Sequence, residues 1–374
     1  MKLKYNIQYF LFYCGAGSIY PLLSRYLSDS LNFSGSQIGI ILGIPSLIAL
    51  MTLPLFGAMY DNAKKPKFII MGLLICVSLV ALFIPGFRSF GIVMALITMI
   101  ELLSKPASVM LDSLTVRASD ELKFEFGNVR KFGSIGYIVI SVVIANLTKS
   151  FPLQIIFYSY AIFMTLSALN MLNFTTYPNE GSSHEFIKEL KVLIKNKQYF
   201  YVIIIYSALF GVANVALNYD GVRIEELGYG AEYMALLVPS FVFFEIVLLR
   251  YSDRIITKFG YKKPLFIGGL IIALKWLVYA FTTNIYIYIL MASMHGIMLA
   301  LVMPTTFRYI KNIVSPKVHA TSMTILNSVF LLTLAIFNFL TGVIIEVSSF
   351  QVVFILYMII ALSGTLLVSR IKEA

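Results

Sequence analysis

Long apolar runs alternate with short polar loops along the whole chain. Runs at 7–27, 36–59, 68–86, 90–112, 132–148 and 152–172, then 199–220, 231–249, 264–282, 284–307, 321–345 and 351–369, each approach the length a helix needs to cross hydrocarbon. Such a pattern predicts an all-α membrane protein of about twelve transmembrane helices. Within the runs stand charged residues: Glu101 in GIVMALITMIELL, Glu245 in LLVPSFVFFEIVLL and Lys275 in FIGGLIIALKWLVYAF. Hydrocarbon cannot solvate an ion, so these side chains must face protein or a wet cavity, which points to passage of something polar.

Composition narrows the class. Hydrophobic residues make up 59% of 374, above the roughly 45–50% of soluble domains. A net charge of +11 would suit nucleic acid, but the basic residues lie in short loops between apolar runs. With the N-terminus in the cytoplasm, about 23 loop Lys and Arg fall on the cytoplasmic side, whereas the other face keeps Arg25, Arg88, Lys149 and Arg223. That asymmetry requires an even number of spans and puts both termini in the cytoplasm; a multi-pass protein of a bacterial inner membrane is the expectation. Cys14 and Cys76 lie in apolar runs and read as small core residues rather than a disulfide. The segment after MKLKYN has no small-residue cleavage site and reads as a retained first span.

The longest polar stretch, 173–198, divides the spans six and six. It separates an N-terminal six-helix bundle, 1–172, from a C-terminal one, 199–374. Its second part, EFIKELKVLIKNK, fits an interfacial basic helix, and a solvated linker fits as well.

The two halves carry a related loop. GAMYDNAKKPKFIIMG holds Gly57, Asp61, Lys64 and Lys65; RYSDRIITKFGYKKPLFIGG holds Asp253, Arg254, Gly260, Lys262 and Lys263. An acid followed by a basic cluster at equivalent places indicates an internal repeat. It resembles the loop motif of the major facilitator superfamily, the second copy more closely than the first, which lacks the basic residue after the Asp. Physically the motif reads as a charge relay clamping helix ends in one conformation; a cluster that merely sets topology is the alternative.

Residues 111–137, LDSLTVRASDELKFEFGNVRKFGSIGY, resemble the same segment of the oligosaccharide–proton symporter family and of its phenylpropionate-permease relatives, through FEFG at 124–127, Arg130, Phe132, Gly133 and Gly136. The resemblance implies that Asp112 and Arg130 hold solute hydroxyls and that Tyr137, where a tryptophan is expected, packs on the solute ring. Carboxylate, guanidinium and ring face suit a polyol. A local Asp112–Arg130 pair within the basic cluster is the other reading.

ALKWLVYAF resembles the family's arginine–tryptophan pair, here Lys275–Trp276, and MASMHG its His-Gly, here His295–Gly296. Met298, Ala292 and Asn214 stand where the lactose-type pattern has a glutamate, a lysine and an aspartate. The phenylpropionate-type branch puts a glutamate in helix eight, and its signature resembles FFEI here. That resemblance implies Glu245 as proton carrier, with Lys275 and His295 modulating it; a structural Glu245–Lys275 pair is the alternative. Glu101 and Lys105, four apart, share a helix face and read equally as a local pair or as solute-binding. Asn214 and Asn218 can face a cavity, while Asp220 and Arg223 can simply mark the outer end of their helix.

Signatures of zinc proteases, serine hydrolases and Walker loops are absent from the sequence, and His184, His295 and His319 are too scattered for a metal site. The resemblance implies a monomeric secondary transporter without a bound cofactor. It would work by alternating access, carrying a small polar solute with a proton, although sodium is not excluded. A saccharide or nucleoside is favoured over an aromatic carboxylate. Proton-coupled efflux of drugs or metabolites is the alternative, ahead of a membrane sensor or enzyme.

Overall fold

The computed structural model describes residues 2–61, 63, 65–124, 126–175, 193, 195–314 and 319–372. Among them every regular element is a helix. Their contacts form two compact units, Met1–Ser182 with Gly230–Ala235, and Ser183–Tyr229 with Leu236–Ala374.

The first unit is built on α1 (Lys2–Arg25), α2 (Gly35–Asp61), α3 (Pro66–Phe83), α4 (Phe90–Leu122), α5 (Phe126–Leu147) and α6 (Ile155–Asn170). Helix α4 runs about ten residues beyond the apolar run that predicts it. Polar residues of its last turns continue the ladder until Lys123, whose left-handed backbone (φ 52°) ends it. Helix α1 packs on α5 and α6, α3 on α4 and α6, and α2 on α4. The α1–α5 crossing is tight because glycines face backbone on both sides. A Cβ on Gly17 would lie 2.5 Å from the Tyr137 carbonyl oxygen, and one on Gly136 would lie 2.5 Å from that of Phe10. Small residues permit this approach between membrane helices, where packing replaces the hydrophobic effect as the driving force.

The second unit holds most of the remaining helices. The span Lys197–Leu217 (α7) is capped by the Asn196 side chain and interrupted by a π turn at Ser207–Gly211. After it come α8 (Asp220–Glu226), α9 (Met234–Leu249), α10 (Ser252–Phe259), α11 (Lys262–Phe281), α12 (Ile285–Ile313), α13 (His319–Val347) and α14 (Phe350–Leu367). The first residues of α9 group with the first unit. Helix α11 is central, packed on α12 and α14. Helix α10 is a short amphipathic segment that buries Ile256 and ends at Gly260, whose φ of 72° suits glycine.

Among the described residues eleven helices are long and apolar enough to cross a membrane, and the protein is an integral, multi-pass membrane protein. Helix α1 is not one of the eleven. It buries Gln8, Ser18, Ser24 and Arg25, and two of these bond to α6, Gln8 to Ser167 at 2.7 Å and Ser18 to Ser159 at 2.9 Å. These polar residues lower its hydropathy relative to the other spans, and Gln8 and Ser18 are satisfied by α6 rather than by solvent. Most of the 173–198 stretch (176–192 and 194), with its proposed basic helix, lies outside the described residues.

Candidate functional site

Polar side chains gather in two places, one in each unit. In the first unit, Asp112 on α4 accepts a hydrogen bond from the Tyr9 hydroxyl of α1 at 2.6 Å. Arg130 on α5 sits 3.9 Å from the same carboxylate oxygen. Its Nη2 donates to the Tyr13 hydroxyl at 2.6 Å, and the guanidinium carbon lies 4.1 Å from the Tyr13 ring centroid. Tyr9 and Tyr13 stack with an interplanar angle of 7°. The motif pairs Asp112 with Arg130 but carries no sign of the two tyrosines; their spacing with Tyr5, at every fourth residue, is the signal that could have found them.

This cluster is accessible. The Asp112 and Arg130 side chains keep 39% and 34% of their surface, although both stand on helices that are candidate membrane spans. At 3.9 Å their contact is long for a charge-assisted hydrogen bond, so neither group is saturated by the other. Tyr137 is half-buried on α5, one turn beyond Gly133. Elsewhere in the unit Glu101 is buried and pairs with Lys105 at 3.0 Å, with Tyr20 of α1 beside it. A local pair therefore exists at Glu101, and it is supported from α1.

The second unit holds a more enclosed cluster. Lys275 on α11 is 1% exposed. Its ammonium lies 4.2 Å from the Trp276 ring and 4.7 Å from that of Tyr279. The carboxylate whose field reaches it is Asp220 of α8, which lies beyond direct ion-pair contact and accepts from the Tyr288 hydroxyl at 2.6 Å. Tyr288 and Tyr279 stack at 3.8 Å between centroids. Asp220, which the sequence offered as a marker of the outer helix end, is the carboxylate whose charge bears on Lys275. Glu245 is half-buried on α9, where its backbone nitrogen packs against Gly296 of α12.

His295 is fully buried beside Phe241, with ring centroids 5.5 Å apart. Neither of its ring nitrogens has a hydrogen-bond partner among the described residues, and the same holds for Trp276 Nε1 and Tyr279 Oη. Trp276 has no exposed surface and stacks on Phe354; in this conformation it walls the Lys275 cage rather than presenting a face. Asn214 donates to Phe210 within α7, and Asn218 to Asn338 of α13 at 3.0 Å.

At the repeated loop, Asp253 pairs with Arg308 of α12 at 3.0 Å, a partner the sequence did not indicate. Arg254 and Lys263 are exposed, and Lys262 is half-buried. In the first copy Gly57 lies in the last turns of α2 and Asp61 ends it, but the Asp61 side chain, like Lys64, falls outside the described residues; Lys65 precedes α3.

The sequence profile of the MFS_1 like family matches residues 2–356. The chain belongs to this family, within the major facilitator superfamily. The maltose permease of Geobacillus stearothermophilus is 24% identical over 328 residues, 88% of this chain and 83% of that protein. The sucrose permease of Escherichia coli is 22% identical over 322 residues, covering 80% and 76%. In fold, the crystal structure of a mutant of the nucleoside transporter NupG matches with a TM-score of 0.89 at 16% identity, over 100% of both chains. The fold is therefore that of the superfamily's transporters.

Proposed function

We propose that this protein is a secondary transporter that carries a saccharide or nucleoside together with a proton, by alternating access of two six-helix halves. The observation that carries the reading is the Asp112–Tyr9–Arg130–Tyr13 cluster. It offers a carboxylate, a guanidinium, hydroxyls and ring faces, and keeps over a third of its charged surface open on membrane-spanning helices. Directional donors and acceptors beside aromatic faces match the hydroxyls and C–H surface of a sugar or ribose. The maltose and sucrose permeases among its relatives support the saccharide arm. The further solute contacts we assign are Tyr137 and Glu101 in the first unit and Asn214, Asn218 and Trp276 in the second.

For coupling, we assign the proton to Glu245, with His295 and the Asp220–Lys275 pair modulating it. A carrier of this kind works only if protonation changes the relative free energy of the states open to each side. The Asp253–Arg308 bridge is the element we assign to holding one of those states.

The test is uptake of radiolabelled maltose, sucrose and uridine into proteoliposomes, with and without an imposed inward proton gradient. Wild type should accumulate at least one of them, faster with the gradient. Arg130→Lys should lower uptake about 10-fold or more, since it loses the bidentate fork. Glu245→Gln should abolish the response to the gradient. Uptake indifferent to the gradient in wild type, or a gradient response that survives Glu245→Gln, removes the coupling assignment.

A further inference from the structure

The repeated-loop lysines need a different account from the acid near them. Asp253 is engaged by Arg308, while Lys262 and Lys263 stand at the other end of the loop, on the first turn of α11. There they border a cleft of about 320 Å³ between the start of α11 and the end of α14. Phe266, Ile267 and Leu366 supply its apolar walls, and Ser369 closes it on the α14 side. The three apolar side chains are 43%, 48% and 72% exposed, so the cleft opens outward along helix faces of candidate spans.

Three properties coincide here. Among the described residues no acid lines the cleft, whereas two lysines do. The Tyr261 N-cap gives α11 no side-chain cap, so the amides of its first residues keep partial positive charge at the end where the two lysines stand. Below this positive rim the wall is hydrocarbon. A free phosphate would match the rim and leave the wall uncovered; a neutral lipid tail would match the wall and ignore the rim.

We propose that this cleft binds an anionic phospholipid, its phosphate between Lys262 and Lys263 and one acyl chain along Phe266, Ile267 and Leu366. Charge complementarity selects the headgroup, and the exposed apolar flank selects a lipid over a soluble anion. The site lies wholly within the second unit and does not depend on what the protein transports.

The experiment is thermal unfolding of the purified full chain in a neutral detergent, titrated with phosphatidylglycerol, phosphatidylcholine or glycerol phosphate. Phosphatidylglycerol should raise the midpoint by at least ~2 °C, because a ligand stabilises the state it binds. Phosphatidylcholine and glycerol phosphate should each give less than half that shift. The double variant Lys262→Gln/Lys263→Gln should weaken the phosphatidylglycerol effect at least about 10-fold in concentration. Leu366→Trp, a change at an exposed position, should weaken it too, and serves where the double variant does not purify as a single species. An equal shift with phosphatidylcholine, a full shift with glycerol phosphate, or an unchanged response in the variant that folds would each overturn the proposal.

Discussion

Single residues in this protein are chosen against the cost of burying charge. Lys275 and Asp220 are 1% and 2% exposed, and each would be expensive in that position alone. Asp220→Asn keeps a partner for the Tyr288 hydroxyl but leaves the ammonium without its opposing carboxylate. It should destabilise the protein by up to about 3 kcal/mol, less than the loss of a contact ion pair, because a buried ammonium then lacks the carboxylate field that opposes it. Lys275→Met in the same chain should recover most of that loss, because the uncompensated charge is then gone. Thermal unfolding of the two variants reads this directly; a double variant no more stable than Asp220→Asn would mean that the two charges do not act as a pair. The sequence revealed that Lys275 must be satisfied somewhere, since an ammonium in an apolar run admits no other reading. It did not reveal the partner, because Asp220 follows the break after α7 and looks like an ordinary helix-end acid. Arg130 was legible for the opposite reason: its motif is contiguous, so the local chain carries the signal. Its aromatic partners come from α1, more than a hundred residues away.

Elements were easier to read than their partners. Hydropathy located most of the spans to within a few residues, since membrane helices must satisfy their own backbone and announce it through length. It missed what polar ladders do beyond the hydrocarbon, namely the extension of α4 to Leu122 and the separate amphipathic α10. It also gave no hint of which helices touch, because lipid and core look alike to an apolar count. The glycines hold that information. Gly136→Ala would put a methyl 2.5 Å from the Phe10 carbonyl oxygen, on a backbone that cannot yield cheaply. About 1–3 kcal/mol of stability should be lost, the ordinary result of overpacking. Gly72→Ala in α3 is the control: nothing lies within 4 Å of its added Cβ, so stability should hold or rise slightly. Equal effects of the two substitutions would show that the α1–α5 approach contributes nothing.

At the scale of the molecule the deciding property is parity. Eleven crossings put the two ends of this chain on opposite sides of the membrane; a twelfth, by α1, puts them together. Helix α1 has 24 residues, roughly 36 Å at the rise of an α-helix, against a hydrocarbon core of about 30 Å. Its shortfall is in hydropathy alone, and its buried Gln8, Ser18 and Ser24 explain that without removing it from the bilayer, because a helix sheathed by α5 and α6 need not be soluble in lipid. The loop charges point the same way: with both ends in the cytoplasm the Lys and Arg excess falls consistently on one side. Single cysteines in place of Lys2 and Lys372, in a background where Cys14 and Cys76 are replaced by alanine, test this with a membrane-impermeant maleimide. Both should label in inverted vesicles and neither in intact cells. If one end labels from outside while the other does not, α1 lies along the surface, and the Tyr9–Asp112 contact must form in a helix that never enters the membrane. That contact joins α1 to α4, a helix whose own run is long and apolar enough to span, so the geometry of the cluster and the sidedness of the termini stand or fall together.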